Sequence, residues 1–301
     1  MIAFQSPQLT DRGVLAPIFY GSGNLGCEFT FNNIYLWGRQ EYAIVENCLV
    51  LFSHWDGQST YVYPVGNGDH KAAIRLLMDD ARERGIPFRL SGISEQAMAE
   101  LESGFPGVFR FQPRRSSFDY VYEIDKLADL KGKHLQQKRN HIHRFCDAHP
   151  DWRAEPIGPE NLEECRQLVT RWYELHGQDE MEQDFLLEKR AIRRAFDAYS
   201  ALRMRGLAIR TEGRLVAMTM GSLINDSIFD VSFEKAYADL QGAYPIVNRE
   251  FARMLREEYP NLQYLNREED MGLPGLRKAK ESYHPAFLVK KFRAYLEEEV
   301  C

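Results

Sequence analysis

Between residues 41 and 64 the apolar positions run in blocks of strand length. Glu41-Tyr-Ala-Ile-Val-Glu46 and Cys48-Leu-Val-Leu-Phe-Ser53 predict adjoining strands joined by a tight turn. Thr60-Tyr-Val-Tyr-Pro64 predicts a third, with Pro64 placing its end at an edge. The period then lengthens. Ala73, Leu76, Leu77 and Ala81 recur at helical spacing, Asp69 is a ready N-cap and Gly85 a stop, which predicts a helix over 70–84. Upstream, the aromatic-rich residues 10–40, broken by Asn24, Asn32 and Asn33, predict two short helices or a helix and a loop. Downstream come a strand at Pro87–Leu90, a helix from Ser94 to Leu101, and strands at Val108–Phe111 and Tyr120–Ile124.

The second half repeats this order. A strand at Trp152–Glu155 leads to helices over Pro159–Leu175 and Gln183–Tyr199. Strands follow at 207–211, 215–221 and 228–233, the first two joined by a Glu212-Gly213 hairpin turn. A helix over Tyr244–Glu258, a short strand at Leu262–Leu265, a short basic helix and a last strand at Ala286–Phe292 complete the chain. This is an α+β order with mostly antiparallel sheets. It predicts two similar units in tandem, residues 1–125 and 151–301, with a basic connecting helix over 126–150.

Composition narrows the class. With 301 residues, 44% hydrophobic and 12% aromatic, the chain has the material for packed cores. Its net charge of −6 predicts no general attraction to nucleic acid or anionic lipid, so such binding would need a local basic patch. No window approaches 18 uninterrupted apolar residues, and the start lacks the pattern of a secretory signal; a cytoplasmic protein without a membrane-spanning part is expected. The five cysteines are scattered without a C-x-x-C pair, and the eight histidines lack ligand spacing, so reduced thiols and no metal site are expected.

Three stretches carry candidate chemistry. Lys131 to Arg144 holds five Lys/Arg, three His and no acid. On a helix Leu135, Ile142, Phe145 and Cys146 share one face with Arg139 at its rim. Lys133, Lys138 and Arg144 then offer positive charge elsewhere, an anion-binding arrangement competing with a plain solvated helix. In Asp239-Leu-Gln-Gly242-Ala-Tyr-Pro245 a glycine sits where a strand gives way to a helix, a weak anion signal because helix N-termini carry free N–H groups. The third, Asn266 to Pro285, begins with Glu268, Glu269 and Asp270 at a strand end and continues into a helix bearing Arg277, Lys278 and Lys280. Like charges so close need countercharges or a ligand. Extended geometry places Asn266, Glu268 and Asp270 on one side and Arg267 and Glu269 on the other, the latter supporting the site through pairs such as Glu269 with Lys278.

Phe118–Tyr122, Leu127–Lys133, Lys138–Phe145, Phe233-Glu234-Lys235-Ala236, Asn266–Gly272 and Leu276–Tyr283 together resemble a family of soluble bacterial proteins. These are similar to the C-terminal domain of phosphatidylglycerol lysyltransferases. The resemblance runs from about residue 10 to 295 and implies two GNAT-like units, as in tandem GNAT acyltransferases and Fem-type peptidyltransferases. The lysyltransferases move an aminoacyl group from tRNA to a lipid headgroup. Their catalytic residues are not carried over, because the Asn-Arg-Glu-x-Asp-x-Gly block belongs to the soluble family. From GNAT architecture the resemblance implies a pyrophosphate loop at Gln241, Gly242, Ala243 and Tyr244, altered by Pro245, and a general acid at Tyr283.

Three functions follow as expectations. The first is transfer of an aminoacyl or acyl group from aminoacyl-tRNA or acyl-coenzyme A to an amine or hydroxyl of a small molecule or lipid headgroup. In it Glu268 or Asp270 acts as base, Asn266 or Arg267 stabilises negative charge, and Tyr283 is the acid. Lys133, Lys138, Arg139 and Arg144 contact tRNA phosphates, and Glu234, Lys235, Lys278 and Lys280 support the site. The second is an acetyl-coenzyme A-dependent N-acetyltransferase. The third is a non-catalytic GNAT-derived module that binds a nucleotide or polar metabolite.

Overall fold

The computed structural model describes residues 1–55, 57–176 and 183–297. Its strands are β1 (Gln40–Val45), β2 (Cys48–Trp55), β3 (Gln58–Val65), β4 (Arg89–Ile93), β5 (Phe109–Pro113), β6 (Asp119–Glu123) and β7 (Arg153–Pro156). They continue with β8 (Arg205–Thr211), β9 (Arg214–Asn225), β10 (Ile228–Ala236), β11 (Tyr264–Asn266), β12 (Phe287–Val289) and β13 (Phe292–Leu296). One sheet is six-stranded in the order β1-β2-β3-β4-β13-β5, and the other seven-stranded in the order β12-β6-β11-β10-β9-β8-β7. This is an α+β architecture of two helix-flanked, mostly antiparallel sheets.

The duplication is visible in the pairing. In each sheet a three-strand antiparallel meander is followed by a helix and then by a strand parallel to the meander's last: β3 with β4, and β10 with β11. Both first hairpins turn on residues with φ > 0, Glu46 and Asn47 in one and Glu212 and Gly213 in the other. The strand antiparallel to the parallel one comes from elsewhere in the chain. It is β13 beside β4, and β6 beside β11. Contacts accordingly group Met1–Asp119, Glu269–Leu273 and the chain from Leu288 into one compact unit, and Tyr120–Glu268 with Pro274–Phe287 into a second. The basic stretch at 126–150 belongs to the second.

Local chemistry sets most element ends. The helix His70–Arg84 starts where Asp69 accepts the Ala72 N–H at 2.9 Å and stops at Gly85 in the left-handed region. Its Ile74, Leu77 and Ala81 pack with Val50, Tyr61, Phe88 and Leu90 in the core of the first unit. In the second unit the helix Ala243–Glu258 buries Ile246, Val247, Phe251, Ala252 and Leu255, with Phe251 edge-on to Phe229 of β10 at 5.6 Å.

Two expectations are corrected. Pro64 does not make β3 an edge strand, for β3 lies inside its sheet; the proline falls past the last β3–β4 pair, Val62↔Ser91, and in a bulge between the pairs Leu51↔Val62 and Leu49↔Val65. The last strand is not continuous, since Lys290 and Lys291 separate β12 from β13 and the two join different sheets. The break has a cause: the Lys291 side chain is buried in an ion cluster, and its carbonyl accepts the Arg114 N–H at 2.9 Å.

Candidate active site

The parallel pairing of β10 and β11 ends at Asp230↔Asn266, while β10 continues to Ala236 against β9. The chain after β11 is steered at this point. Asn266 Oδ1 accepts the Glu268 N–H at 2.7 Å, and Glu268 takes a φ of +57°. The extended course therefore ends just past Arg267. Backbone bonds to β6 hold the turn, Arg267 N–H to the Tyr120 carbonyl at 2.9 Å and Tyr120 N–H to the Glu268 carbonyl at 3.1 Å. Lys280 fixes it from the other direction, its ammonium donating to the carbonyls of Arg267 and Glu268.

Arg267 becomes the centre of the second unit's polar cluster. Its Nη2 donates to Glu234 Oε1 at 2.8 Å, with only 14% of either side chain exposed. Its guanidinium carbon lies 4.9 Å from the Tyr283 ring centroid and 5.8 Å from that of Tyr122. Nη1 is buried and has no hydrogen-bond partner. On the other oxygen of the carboxylate, Asn248 Nδ2 donates to Glu234 Oε2 at 3.3 Å, leaving Asn248 Oδ1 buried and unpartnered. Thr219 stands opposite Glu234 in the β9–β10 register, and its buried Oγ1 also lacks a partner. Buried polar groups are nearly always bonded, so three open ones around one carboxylate require an explanation.

Electrostatics divides the roles. Burial pushes the Tyr283 hydroxyl well above the usual tyrosine range, with Arg267 acting in the opposite sense and Glu234 in the same one. Tyr122, whose hydroxyl donates to the Lys280 carbonyl at 2.8 Å, is raised for the same first reason. Arg267 is raised, since Glu234 and the two tyrosines outweigh its burial. Lys138 Nζ sits 4.0 Å from the Tyr283 ring centroid, and burial and Arg267 lower its pKa despite Glu234. The cluster therefore offers a fixed cation with one open arm beside a tyrosine that stays protonated.

The structure gathers Arg267, Tyr283, Glu234 and Lys138 and disperses the other expected residues. Arg267 was expected to face away and Asp270 toward the site; the turn at Glu268 cancels that alternation. Asp270 belongs to the first unit, where it pairs with Arg115 at 3.0 Å and accepts the Gly272 N–H at 2.8 Å. Asn266 is fully buried and spends its Oδ1 on the turn. Lys235 is bound to Glu188 at 2.9 Å and lies 3.9 Å from the Trp172 ring centroid, so it serves as a packed ion pair. Arg139 is half-buried and donates to the carbonyls of Leu130 and Gly132, at the end of the helix Ile124–Asp129. Lys133, Arg144 and Lys278 are exposed.

Glu269 takes part in a separate buried cluster in the first unit. There Lys291 Nζ lies 2.6 Å from Glu28, 2.7 Å from Asp119 and 3.7 Å from Cys27 Sγ, which is itself 3.7 Å from Glu269. Cys27, Asp119 and Glu269 have the spacing of metal ligands, their atoms lying within 4.8 Å of one another. The ammonium of Lys291, bonded to Asp119, already supplies a cation there. Burial raises the Glu28 carboxyl, with Lys291 opposing, and Lys291 is raised because the surrounding acids outweigh its burial.

The loop 241–244 has a packing reason for its glycine. Gly242 caps the helix at a φ of +98°, and a Cβ there would overlap the His141 carbonyl oxygen and lie 2.9 Å from Phe145 Cβ. The glycine is thus explained by the close approach of the helix Gln136–Ala148. Of the first-turn donors, Ala243 N–H bonds to the Leu240 carbonyl, Ile246 N–H bonds to the Gly242 carbonyl, and Pro245 has none. Tyr122, Asn248 and Thr219 join this cluster although the sequence pattern did not single them out. Asn248 alone left a signal, an amide on the apolar face of a helix.

The comparisons agree with this architecture. A solved protein of unknown function from Bacteroides thetaiotaomicron is 37% identical, covers 99% of this chain and 100% of its own, and superposes with a TM-score of 0.92. L-PGS from Bacillus licheniformis shares the fold at 15% identity, with 98% and 94% covered and a TM-score of 0.68. So do FemX (10% identity, 99% and 98% covered, TM-score 0.61) and a tandem GNAT protein from the clavulanic acid biosynthesis pathway (8%, 98% and 98%, 0.51). An uncharacterised protein of Mycoplasmoides gallisepticum is 25% identical over 187 residues, which span 62% of this chain and 58% of that relative. Among the described residues no helix is long and apolar enough to cross a membrane. The family model described as phosphatidylglycerol lysyltransferase, C-terminal, matches residues 22–295, and the chain belongs to that family.

Proposed function

We propose that the second unit transfers an aminoacyl group from the ester of an aminoacyl-tRNA to an amine or hydroxyl acceptor, with Arg267 and Tyr283 as the catalytic pair. Family and fold support a transferase of acyl or aminoacyl groups. The observation that carries the finer reading is the open Nη1 of Arg267, held in a buried pair beside Tyr283. A fixed, dehydrated cationic donor is what a developing oxyanion needs, and it requires no reorganisation as the charge forms.

In this mechanism the acceptor attacks the ester carbonyl carbon and the carbonyl oxygen takes the Nη1–H of Arg267. The carbon–oxygen ester bond then breaks. Tyr283 gives its proton to the leaving ribose oxygen and regains one from the attacking amine or hydroxyl. A tyrosine raised by burial suits this, because it parts with its proton only to an oxygen that has become strongly basic. The ester donor is favoured over coenzyme A because the Ala243 N–H is spent on the Leu240 carbonyl and Pro245 has no N–H, which reduces the donors a diphosphate could use there. The exposed Lys133 and Arg144 supply phosphate contacts. The acceptor is a polar amine or hydroxyl compound, lipid headgroups included.

The test is transfer of radiolabelled aminoacyl groups from charged tRNA to a mixed polar and lipid acceptor pool. Activity in the native chain that falls at least ~100-fold in Arg267→Lys supports the reading. Transfer from acetyl-coenzyme A but from no charged tRNA would overturn it.

A further inference from the structure

The open arm of Arg267 is one of three unsatisfied atoms on the residues grouped at Glu234, and the other two can accept. Asn248 Oδ1 can only accept. Its assignment is secure from the network, since the amide edge facing the Glu234 carboxylate has to be the NH₂. Thr219 Oγ1 can accept as well, and the β-sheet register sets its side chain beside that of Glu234. Both residues are almost wholly inaccessible, Asn248 at 3% and Thr219 at 0%. Leaving such atoms open costs roughly 1–3 kcal/mol each, so their combination with a carboxylate asks for a ligand with several donors and positive charge.

An ammonium has three donors and one charge. We infer that Asn248, Thr219 and Glu234 form a reader for the α-ammonium of the transferred group, with Asn248 as the specificity-determining residue. This rests on the transferase reading above and adds to it a discrimination the family does not by itself imply: a free α-amine is demanded at the donor. The complement of the cluster is a group with an ester oxygen for Arg267 and an ammonium for the acceptors on the same carboxylate. A simple acyl group fills only the first half. An N-acylated aminoacyl group leaves the acceptors unpaired, and sites built to bond a polar group reject analogues that lack it.

The experiment compares charged tRNA with the same tRNA N-acetylated on its amino acid, in the native chain and in Asn248→Leu, Asn248→Asp and Thr219→Val. The native chain should prefer the free amine by roughly 100-fold. Asn248→Leu should cut that preference at least ~10-fold through KM, and Asn248→Asp, which keeps an acceptor oxygen, should retain more of it than Asn248→Leu. A purely structural asparagine would shift the melting temperature of the variants and leave the ratio alone. Equal use of both donors by the native chain, or an unchanged ratio in Asn248→Leu and Thr219→Val, overturns the inference. If no charged tRNA supports transfer, the proposed reaction fails, and calorimetry with a panel of amino-acid amides and their N-acetyl counterparts still decides this point. Binding of the amides alone sustains it, while equal binding, or none, sinks it.

Discussion

Arg267 shows how burial turns an ordinary ion pair into a committed one. Exposed pairs contribute ~0–1 kcal/mol, whereas removing one partner of a buried pair costs about 3–5 kcal/mol because the other charge is stranded. Arg267→Lys keeps the charge opposite Glu234, so its folding transition in urea should remain cooperative while transfer falls at least ~100-fold. Tyr283→Phe should lower kcat by roughly 100-fold with little change in KM, since only the proton donor is removed. The native pH–rate profile should show no loss up to the ordinary tyrosine range, because burial holds the Tyr283 proton above it. An alkaline limb below that range would place another group in the role. Phosphate contacts are a separate matter. Lys133→Glu with Arg144→Glu should weaken tRNA binding and flatten its dependence on salt, as a filter-binding series would show. Lys138 and Arg139 are engaged within the second unit, over the Tyr283 ring and on the Gly132 carbonyl.

Elements were legible where the chain carries its own punctuation. Asp69 and Gly85 bound the helix His70–Arg84 as their chemistry predicts, and the paired φ > 0 residues mark the hairpins. They were misread where a neighbour decides. Pro64 looks like an edge residue until the β2–β3 bulge is known, and Gly242 looks like a phosphate cradle until the helix Gln136–Ala148 is packed on it. Gly242→Ala should cost about 2–4 kcal/mol in a denaturant titration, combining a positive φ with overlap on backbone, whereas Gly107→Ala, with open space, should cost less. The helix His70–Arg84 also holds a pH-sensitive tether. Burial pushes the Asp80 carboxyl up, but Arg84, the Tyr61 hydroxyl and the Ile2 N–H together bring it below the usual aspartate range. A depressed acid contributes stability above its unfolded pKa and loses it as pH falls through the folded one. Urea midpoints should therefore drop below about pH 4, and Asp80→Asn should flatten that limb.

At the scale of the molecule, each sheet is completed by a strand remote in sequence. β13 lies between β4 and β5, and Lys291 just before it answers Glu28 and Asp119. Lys291→Met should destabilise the chain by about 3–5 kcal/mol, because the acids lose their buried counterion. Its neighbour gives the control: Lys290 pairs with Glu95 at the surface, and Lys290→Ala should change stability by no more than ~0.5 kcal/mol. Comparable losses in the two variants, by urea unfolding, would show that the cluster is no better coupled than a surface pair.

What the sequence determined by itself was the class and the duplicated order of elements, because periodicity, caps and turn residues act over a few positions. Charge told less. Consecutive acids at Glu268, Glu269 and Asp270 look like one group, yet a single residue with φ > 0 sends Asp270 to the first unit with Arg115 and leaves Arg267 with Glu234 in the second. Pairing of strands and burial of charges depend on partners tens or hundreds of residues away. Tertiary structure alone therefore decided that Arg267, expected to support the site from the other side of the chain, is the residue around which Tyr283, Glu234 and Asn248 assemble.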